Sequence, residues 1–427
     1  MSDKSKLSTE NYKGVRDFYP EEMFVQNYIF STWKKVVEKF GYVEYGASIL
    51  EPAELYKAKT GEEIVNEQTY TFTDRGEREV TLRPEMTPTV ARMIAAREKE
   101  LAFPLRWYSM PNLLRYEKPQ RGRLREHWQL NVDLFGAKGV EADTEIITIA
   151  SDLMKSFGAK NSDFVIRLNN RKLINDLYEH FKLSEDQKQK ISKIIDKKNK
   201  ISQETFSQSI GQIIPDKAGE FIRVLSSNER VLDTLSKDNE NAKELIGLIE
   251  KLGSLGITNV SFDPTLVRGF DYYTSAVFEI FDTNRENQRS IFGGGRYDEL
   301  TLTFGQRKIP AVGFGIGDVT LRDFLEVHNL LPKYAPTAKL YIATLDETFL
   351  DGARKLAELL REKGLNVIID LSQKKVGEQL KTANRQQIPY AVVIGQDEIK
   401  SGTYSIKNME SGEEKKVKAE EIANALK

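Results

Sequence analysis

Between Leu113 and Gly136 the chain reads LLRYEKPQRGRLREHWQLNVDLFG, and the second half of this stretch alternates with a period of two. Trp128, Leu130, Val132 and Leu134 fall on one face of a strand, and His127, Gln129, Asn131 and Asp133 fall on the other. The first half predicts an outgoing strand with Arg115 and Glu117 on a shared face. Pro119 and Gly122, which preset or relax φ, mark the turn between the strands. Arg121, Arg123 and Arg125 crowd that turn, so the stretch predicts a hairpin with a basic tip, an apolar face and a polar face.

The rest of the chain arranges itself around this hairpin. GVRDFYP, residues 14–20, is a loop leading into a helix that starts near Glu21, runs through FSTWKKVVEKFG and stops at Gly41. TYTFTD alternates as a strand. EVTLRPEMTPTVARMIA passes from strand to turn to helix, with Pro84 and Pro88 fixing the turn and Thr87 as the expected cap. From about residue 170 to 256 the pattern turns helical and charge-rich. There Ser184 and Gln187 form a capping box, and Ile191, Ile194 and Ile195 share one helical face. Lys188, Lys190, Lys193, Lys197, Lys198 and Lys200 cover the remainder of that surface.

Beyond it, DPTLVRGFDYYTSAVFEIF runs from loop to strand, FGGGRYDEL supplies the next strand and turn, and AVGFGIGDVTLRDFLE is a glycine-rich strand entering a helix. After a linker around LLPKYAPT, the segments KLYIATL, LNVIID and YAVVIG are short buried-type strands separated by amphipathic helices. That is an α/β pattern with parallel strands.

Composition narrows the classes. At 427 residues the chain exceeds one core and suggests two or three domains. With 40% hydrophobic and 30% charged residues it is a soluble globular type, and no apolar run approaches the roughly 18 residues of a membrane helix. The formal net charge of −1 means that a polyanionic partner must be met by local basic patches. Absence of cysteine removes disulfides and thiolate metal sites and fits a reducing compartment, with the cytoplasm as the default location. His127, His180 and His328 are the whole imidazole supply, and no separate metal site is visible.

The pattern formed by Arg115, Glu117, Gly122, Arg123, Arg125, Glu126, Gln129 and Asp133 resembles motif 2 of the class II aminoacyl-tRNA synthetases, specifically the histidyl-tRNA synthetases. The resemblance continues in order through most of the chain. TLRPE.T resembles the stretch that holds the substrate amino group, LVRGFDYYT a histidine-specific signature, and QLKTANRQQIPYAVVIG the anticodon-binding domain of the histidyl, prolyl, threonyl and glycyl enzymes. It implies an α+β fold: a class II catalytic domain over residues 1–330 with a mainly antiparallel sheet, a helical insertion at about 170–256 that closes over the tRNA acceptor stem, and an α/β anticodon-binding domain over 338–427. A homodimer is implied too, although Ser48 stands where most relatives have the motif 1 proline.

The activity implied is ATP-dependent ligation of L-histidine to its tRNA through a histidyl-adenylate, with Mg²⁺ shielding the phosphates. Both reactants of the first step are anions, so fixed guanidinium groups that hold them together and neutralise developing charge suit the task. By resemblance Arg268 and Arg115 are catalytic at the α-phosphate, and Arg268 also meets the substrate carboxylate. Arg123 reaches the outer phosphates, Glu117 accepts from the adenine amine, and His127 stands where relatives stack a phenylalanine on adenine. Gly317 belongs to the glycine-rich floor under the nucleotide, with Gly313 and Gly315. Glu85, Thr87 and Gln129 match positions that bind the α-ammonium group. Asp133 and Tyr273, with Tyr272 and Tyr297 alongside, match those that read the imidazole.

One departure concerns motif 3, whose arginine is replaced by Thr320, while Arg322 lies on a different side of the expected helix. Either another basic residue takes over or ATP binding is weaker than usual. That gap leaves room for an alternative, a synthetase-like regulatory subunit of histidine biosynthesis that binds histidine without activating it. A sister synthetase for another amino acid is the second alternative. On the main reading, Arg268→Ala abolishes most of the adenylation rate with the fold intact. Near-normal histidine-dependent pyrophosphate exchange in that variant would refute the role.

Overall fold

The computed structural model describes residues 7–57, 68–198, 201–235, 238–266, 272–284, 287, 289–305 and 307–426. They form two compact units, Met1–Pro332 and Lys333–Lys427, and the division falls within LLPKYAPT.

The first unit is built on nine strands: β1 (Val43–Glu44), β5 (Leu105–Ser109), β6 (Asn112–Leu114), β7 (Glu126–Phe135), β8 (Phe164–Asn170), β9 (Val260–Phe262), β10 (Ala276–Asp282), β11 (Ser290–Arg296) and β12 (Ala311–Gly317). Their order is β1-β5-β7-β12-β11-β10-β8-β9, with β6 pairing to the outer half of β7. Only β1 with β5 and β8 with β9 run parallel, so the sheet is mainly antiparallel. A small antiparallel sheet of β2 (Leu50–Pro52), β3 (Tyr70–Thr73) and β4 (Glu79–Leu82) stands apart from it.

The apolar face of β7 points as the alternation predicts. Leu130, Val132 and Leu134 are buried in one core with Ile29, Trp33 and Val37 of the helix Pro20–Lys39 and Ile146, Ile149 and Leu153 of the helix Val140–Ser156. The first of these helices ends where Gly41, at φ +77, places its N–H on the Glu38 carbonyl. Six helices between Arg171 and Ser254 follow β8, and their apolar faces join the same core through Leu177, Ile191, Phe221 and Leu245. The capping box at Ser184 and Gln187 forms as expected.

Three local expectations need correction. The outgoing strand of the hairpin ends at Leu114, so Arg115 and Glu117 lie beyond it. The Arg115 N–H is drawn to the Arg125 carbonyl, and the tip closes by paired backbone bonds between Gln120 and Arg123 with Gly122 at φ +74. Thr87 does not cap its helix: it is the first helical residue of Thr87–Arg97, Met86 occupies the cap without a side-chain bond, and Pro88 sits where a missing N–H costs nothing. In the second unit β13 (Leu340–Thr344), β14 (Val367–Ile369) and β15 (Tyr390–Ile394) are parallel as expected. The sheet then continues into an antiparallel hairpin of β16 (Thr403–Asn408) and β17 (Glu414–Lys418). Those two strands escaped notice because EKKVK carries one apolar residue among charges, the composition that blunts a sheet edge.

Leu130 is fully buried between sheet and helices. Leu130→Ala is expected to lower the unfolding free energy by about 2–5 kcal/mol, read as a shift of the denaturant midpoint without a change of slope.

Candidate functional site

On the opposite face of β7 the polar row passes from partly buried at His127 and Gln129 to buried at Asn131 and Asp133. Gln129, Asn131 and Asp133 line a cleft of about 210 Å³ together with Glu85, Thr87, Arg115, Tyr272, Tyr273, Glu279, Tyr297 and the backbone of Gly293, Gly294, Gly313 and Gly315. That volume lies below the ~300–1,000 Å³ usual for drug-sized ligands. The cleft is therefore scaled to one small molecule.

Register explains why these side chains fit. Gly317, Gly315 and Gly313 of β12 pair directly with Gln129, Asn131 and Asp133. A Cβ on Gly313 would stand 2.5 Å from Asp133 Oδ1, and one on Gly315 would stand 2.6 Å from Gln129 Nε2. The neighbouring strand is equally bare, since a Cβ on Gly295 would meet the Tyr273 ring at 2.9 Å. Glycine is required here by close approach of side chains across the ladder.

Each wall has its own support. Arg83, itself buried, donates to the carbonyls of Ala47 (2.8 Å) and Asn112 (3.1 Å), which fixes the Pro84–Glu85 corner against the hairpin. Glu85, 2% exposed, accepts from the Tyr272 hydroxyl at 3.0 Å. Tyr272, Tyr273 and Tyr297 form a cluster of rings with centroids 5.1–6.4 Å apart. Arg171 secures that cluster by donating to the Tyr273 carbonyl at 2.7 Å.

Asp133 is 3% exposed and makes no ion pair with any described residue. Its Oδ1 accepts from the Tyr297 hydroxyl, whereas Oδ2 meets no hydrogen-bond partner among the described residues. Burial pushes its carboxyl up to about 7, against the smaller downward pull of the Tyr297 and Tyr45 hydroxyls. His127 is displaced the other way, down to about 3, by burial and by the positive charges of Arg115 and Arg16. It is therefore neutral at physiological pH.

Glu117, Arg123, His127 and Gly317 are not among the residues that line the cleft, whereas Arg115, Gly313 and Gly315 are. Arg115 Nε donates to the Pro84 carbonyl at 2.9 Å, which leaves both Nη groups without a hydrogen-bond partner among the described residues. Arg123 and Glu117 pair with one another at 3.3 Å. His127 borders Gly317, where a Cβ would stand 3.8 Å from its ring. Arg268 falls outside the described residues.

Sequence reasoning missed four contributors. Asn131 was in the polar row without a role, and Glu279 is an acid in the middle of the strand β10, flanked by Phe278 and Ile280, a signal that was legible. Tyr45 reaches Asp133 from a distant loop. Asp318, fully buried, accepts from Arg16 Nη2 (2.6 Å), Gln26 Nε2 (3.1 Å) and the Trp128 N–H (2.9 Å), tying the N-terminal loop and first helix to the hairpin. No group of three His, Cys, Asp or Glu that could hold a metal occurs among the described residues, and no described helix is long and apolar enough to cross a membrane.

With this geometry in hand, comparison with known proteins is decisive. The family model for histidyl-tRNA synthetase matches residues 14–321, and that for an anticodon binding domain matches 339–427. The chain belongs to the histidyl-tRNA synthetase family. A histidine–tRNA ligase of Leptospira biflexa is 44% identical over 414 residues, spanning 96% of this chain and 95% of the relative. One from Haloarcula marismortui is 36% identical over 95% of this chain and 94% of its own length. Among solved structures, the histidyl-tRNA synthetase of Nostoc sp. PCC 7120 superposes with a TM-score of 0.85 at 27% identity, covering 99% of both chains. The apo enzyme of S. aureus gives 0.75 at 25%, over 98% of this chain and 100% of that one.

The Asp133 displacement fixes a sign. A carboxyl whose folded pKa lies above its unfolded value contributes stability that is complete below about pH 4 and lost as pH rises through about 7. Asp133→Asn cannot ionise and keeps an acceptor for Tyr297. The variant without ligand is therefore expected to be the more stable protein above pH 7, by on the order of 3–4 kcal/mol, with the difference closing towards pH 4 in paired thermal melts.

Proposed function

We propose that the chain ligates L-histidine to its tRNA at the expense of ATP, through a histidyl-adenylate. The observation that carries this reading is the buried Asp133, with Tyr297 on one oxygen and, among the described residues, no hydrogen-bond partner on the other and no ion pair. An imidazole N–H entering the cleft supplies the missing donor, and a side chain lacking it leaves the carboxylate unsatisfied at a cost of about 1–3 kcal/mol. Among the described residues three acids line the cleft, Glu85, Asp133 and Glu279, with Arg115 the one described cation, and the acids beside Thr87 and Gln129 suit an α-ammonium group. Tyr272, Tyr273 and Tyr297 close around the ring.

In the first step a carboxylate oxygen of histidine attacks the α-phosphorus of ATP, and the bond to the departing pyrophosphate breaks. The free Nη groups of Arg115, with Arg268, neutralise charge that builds on the phosphoryl oxygens. Glu117 exchanges its Arg123 partner for the adenine amine, which releases Arg123 towards the outer phosphates. Neutral His127 stacks on the base above Gly317. Mg²⁺ bound with ATP would shield the phosphate charge beside Arg115 and Arg123. In the second step a terminal ribose hydroxyl of the tRNA attacks the activated carbonyl, and AMP leaves. Residues 1–330 perform this chemistry, the helices of 170–256 meet the acceptor stem, and 338–427 reads the anticodon. The working form is a cytoplasmic homodimer.

The regulatory-subunit alternative draws on Thr320 alone. Amino-acid-dependent ATP–pyrophosphate exchange across a panel of amino acids decides: exchange with histidine only is expected. Silence with every amino acid, alongside histidine binding in calorimetry, selects the alternative. In the same assay Asp133→Asn raises the histidine requirement by about tenfold or more and leaves the ATP requirement nearly unchanged. Equal effects on both substrates would remove Asp133 from the imidazole site.

A further inference from the structure

A second cavity of about 360 Å³ shares no lining residue with the cleft described above. Its walls are Lys138, Gly139, Lys172, Glu244, Ser275, Arg296, Asp298, Lys308 and Pro310. Four are cations and two are carboxylates. Arg296 is already committed to Asp143 at 2.7 Å, Asp298 at 3.3 Å and the carbonyl of Gly139 at 2.9 Å, and Lys308 to Glu299 at 3.0 Å. Lys138 and Lys172 make no ion pair with any described residue. Two uncommitted ammonium groups on separate elements therefore face one space.

One more feature points the same way. Ser275 is 2% exposed, yet its hydroxyl has no hydrogen-bond partner among the described residues. A buried hydroxyl left unpaired is costly, and an acceptor from outside the protein removes that cost.

We infer that this cavity is a binding site for a phosphate group, held by Lys138, Lys172 and the Ser275 hydroxyl. The group comes from a small phosphorylated molecule or from a nucleic-acid backbone; both present the same oxygens. Glu244 opposes it and sets the affinity. The inference does not depend on the ligase reading, because none of these residues belongs to that machinery. The site nevertheless lies back to back with the cleft: Ser275 follows Tyr273 by two residues, Arg296 precedes Tyr297, and the Ser275 carbonyl accepts from the N–H of Arg171, whose side chain holds Tyr273.

Inorganic phosphate is titrated into the full chain and followed by calorimetry and by broadening of its ³¹P signal. The combined variant K138Q/K172Q is expected to weaken binding by about tenfold or more, Ser275→Ala by a few-fold, and Glu244→Gln to tighten it. Arg115→Ala should leave binding unchanged. Retention of full affinity in K138Q/K172Q, or its loss in Arg115→Ala, overturns the inference, the latter because phosphate would then sit in the other cleft. Ser275→Ala, which removes one hydroxyl, keeps the test open if the lysine variant fails to fold. A short RNA duplex that displaces phosphate from the unsubstituted chain identifies a nucleic-acid backbone as the source. A duplex without effect identifies a small molecule.

Discussion

The constraint on which the site depends is the pairing of a strand that carries polar side chains with one that carries none. Gln129, Asn131 and Asp133 point into a buried space, and β12 answers each with a glycine. A Cβ on Gly313 or Gly315 would occupy the volume that Asp133 and Gln129 need. The bareness extends one strand further, where a Cβ on Gly293 would lie 2.6 Å from the Phe278 carbonyl. The floor of the cleft is therefore backbone, and its shape is set by the sheet rather than by rotamers. That rigidity suits a site whose task is to place two repelling molecules within bonding distance.

The buried acids divide according to what they do. Asp318 and Asp143 each face an arginine, at 2.6 and 2.7 Å, and serve as joints. Burial still raises Asp143 to about 6, with Arg296 pulling the other way. Asp133 has the Tyr297 hydroxyl and, among the described residues, no ion pair, so its desolvation is not offset as it is at Asp318 and Asp143. A local conflict is kept at a position that lines the cleft, and consistency elsewhere holds it in place.

Much of this was legible in the chain. The alternation from His127 to Leu134 gave the strand, its core face and the side chains of the cleft, because a period of two admits one assignment of faces. What it lacked was the environment of the second face: polarity suggests water, and only the neighbouring glycines turn that row into a pocket lining. Long-range joints were equally out of reach. Arg16 and Asp318 are 302 positions apart, and nothing local in GVRDFYP or GDVTLRD announces their pairing. Thr87 was misplaced by a single position, since Thr and Pro side by side satisfy both a cap and a first turn. The hairpin β16–β17 was lost because an edge strand with charges on most positions has no apolar period to find.

Thr320 shows how a departure in sequence becomes a change of structural role. Its hydroxyl donates to the Ile291 carbonyl at 2.7 Å and lies 3.3 Å from that of Gly317, so the residue binds the start of its helix to β11 and presents no charge. Arg322 is no replacement, being held by Glu326 at 3.0 Å. Positive charge near Thr320 comes from the hairpin tip instead. Gly122 at that tip stands over the helix, where a Cβ would be 3.7 Å from Thr320 and 3.9 Å from the Arg289 guanidinium. Arg289 in turn donates to the Arg121 carbonyl at 2.8 Å and to Gln120 at 3.1 Å. The tip and the β10–β11 connection are thereby joined above the residue that lost its charge. Guanidinium groups held by the hairpin occupy this end of the site, and their position depends on the same strand that carries Asp133.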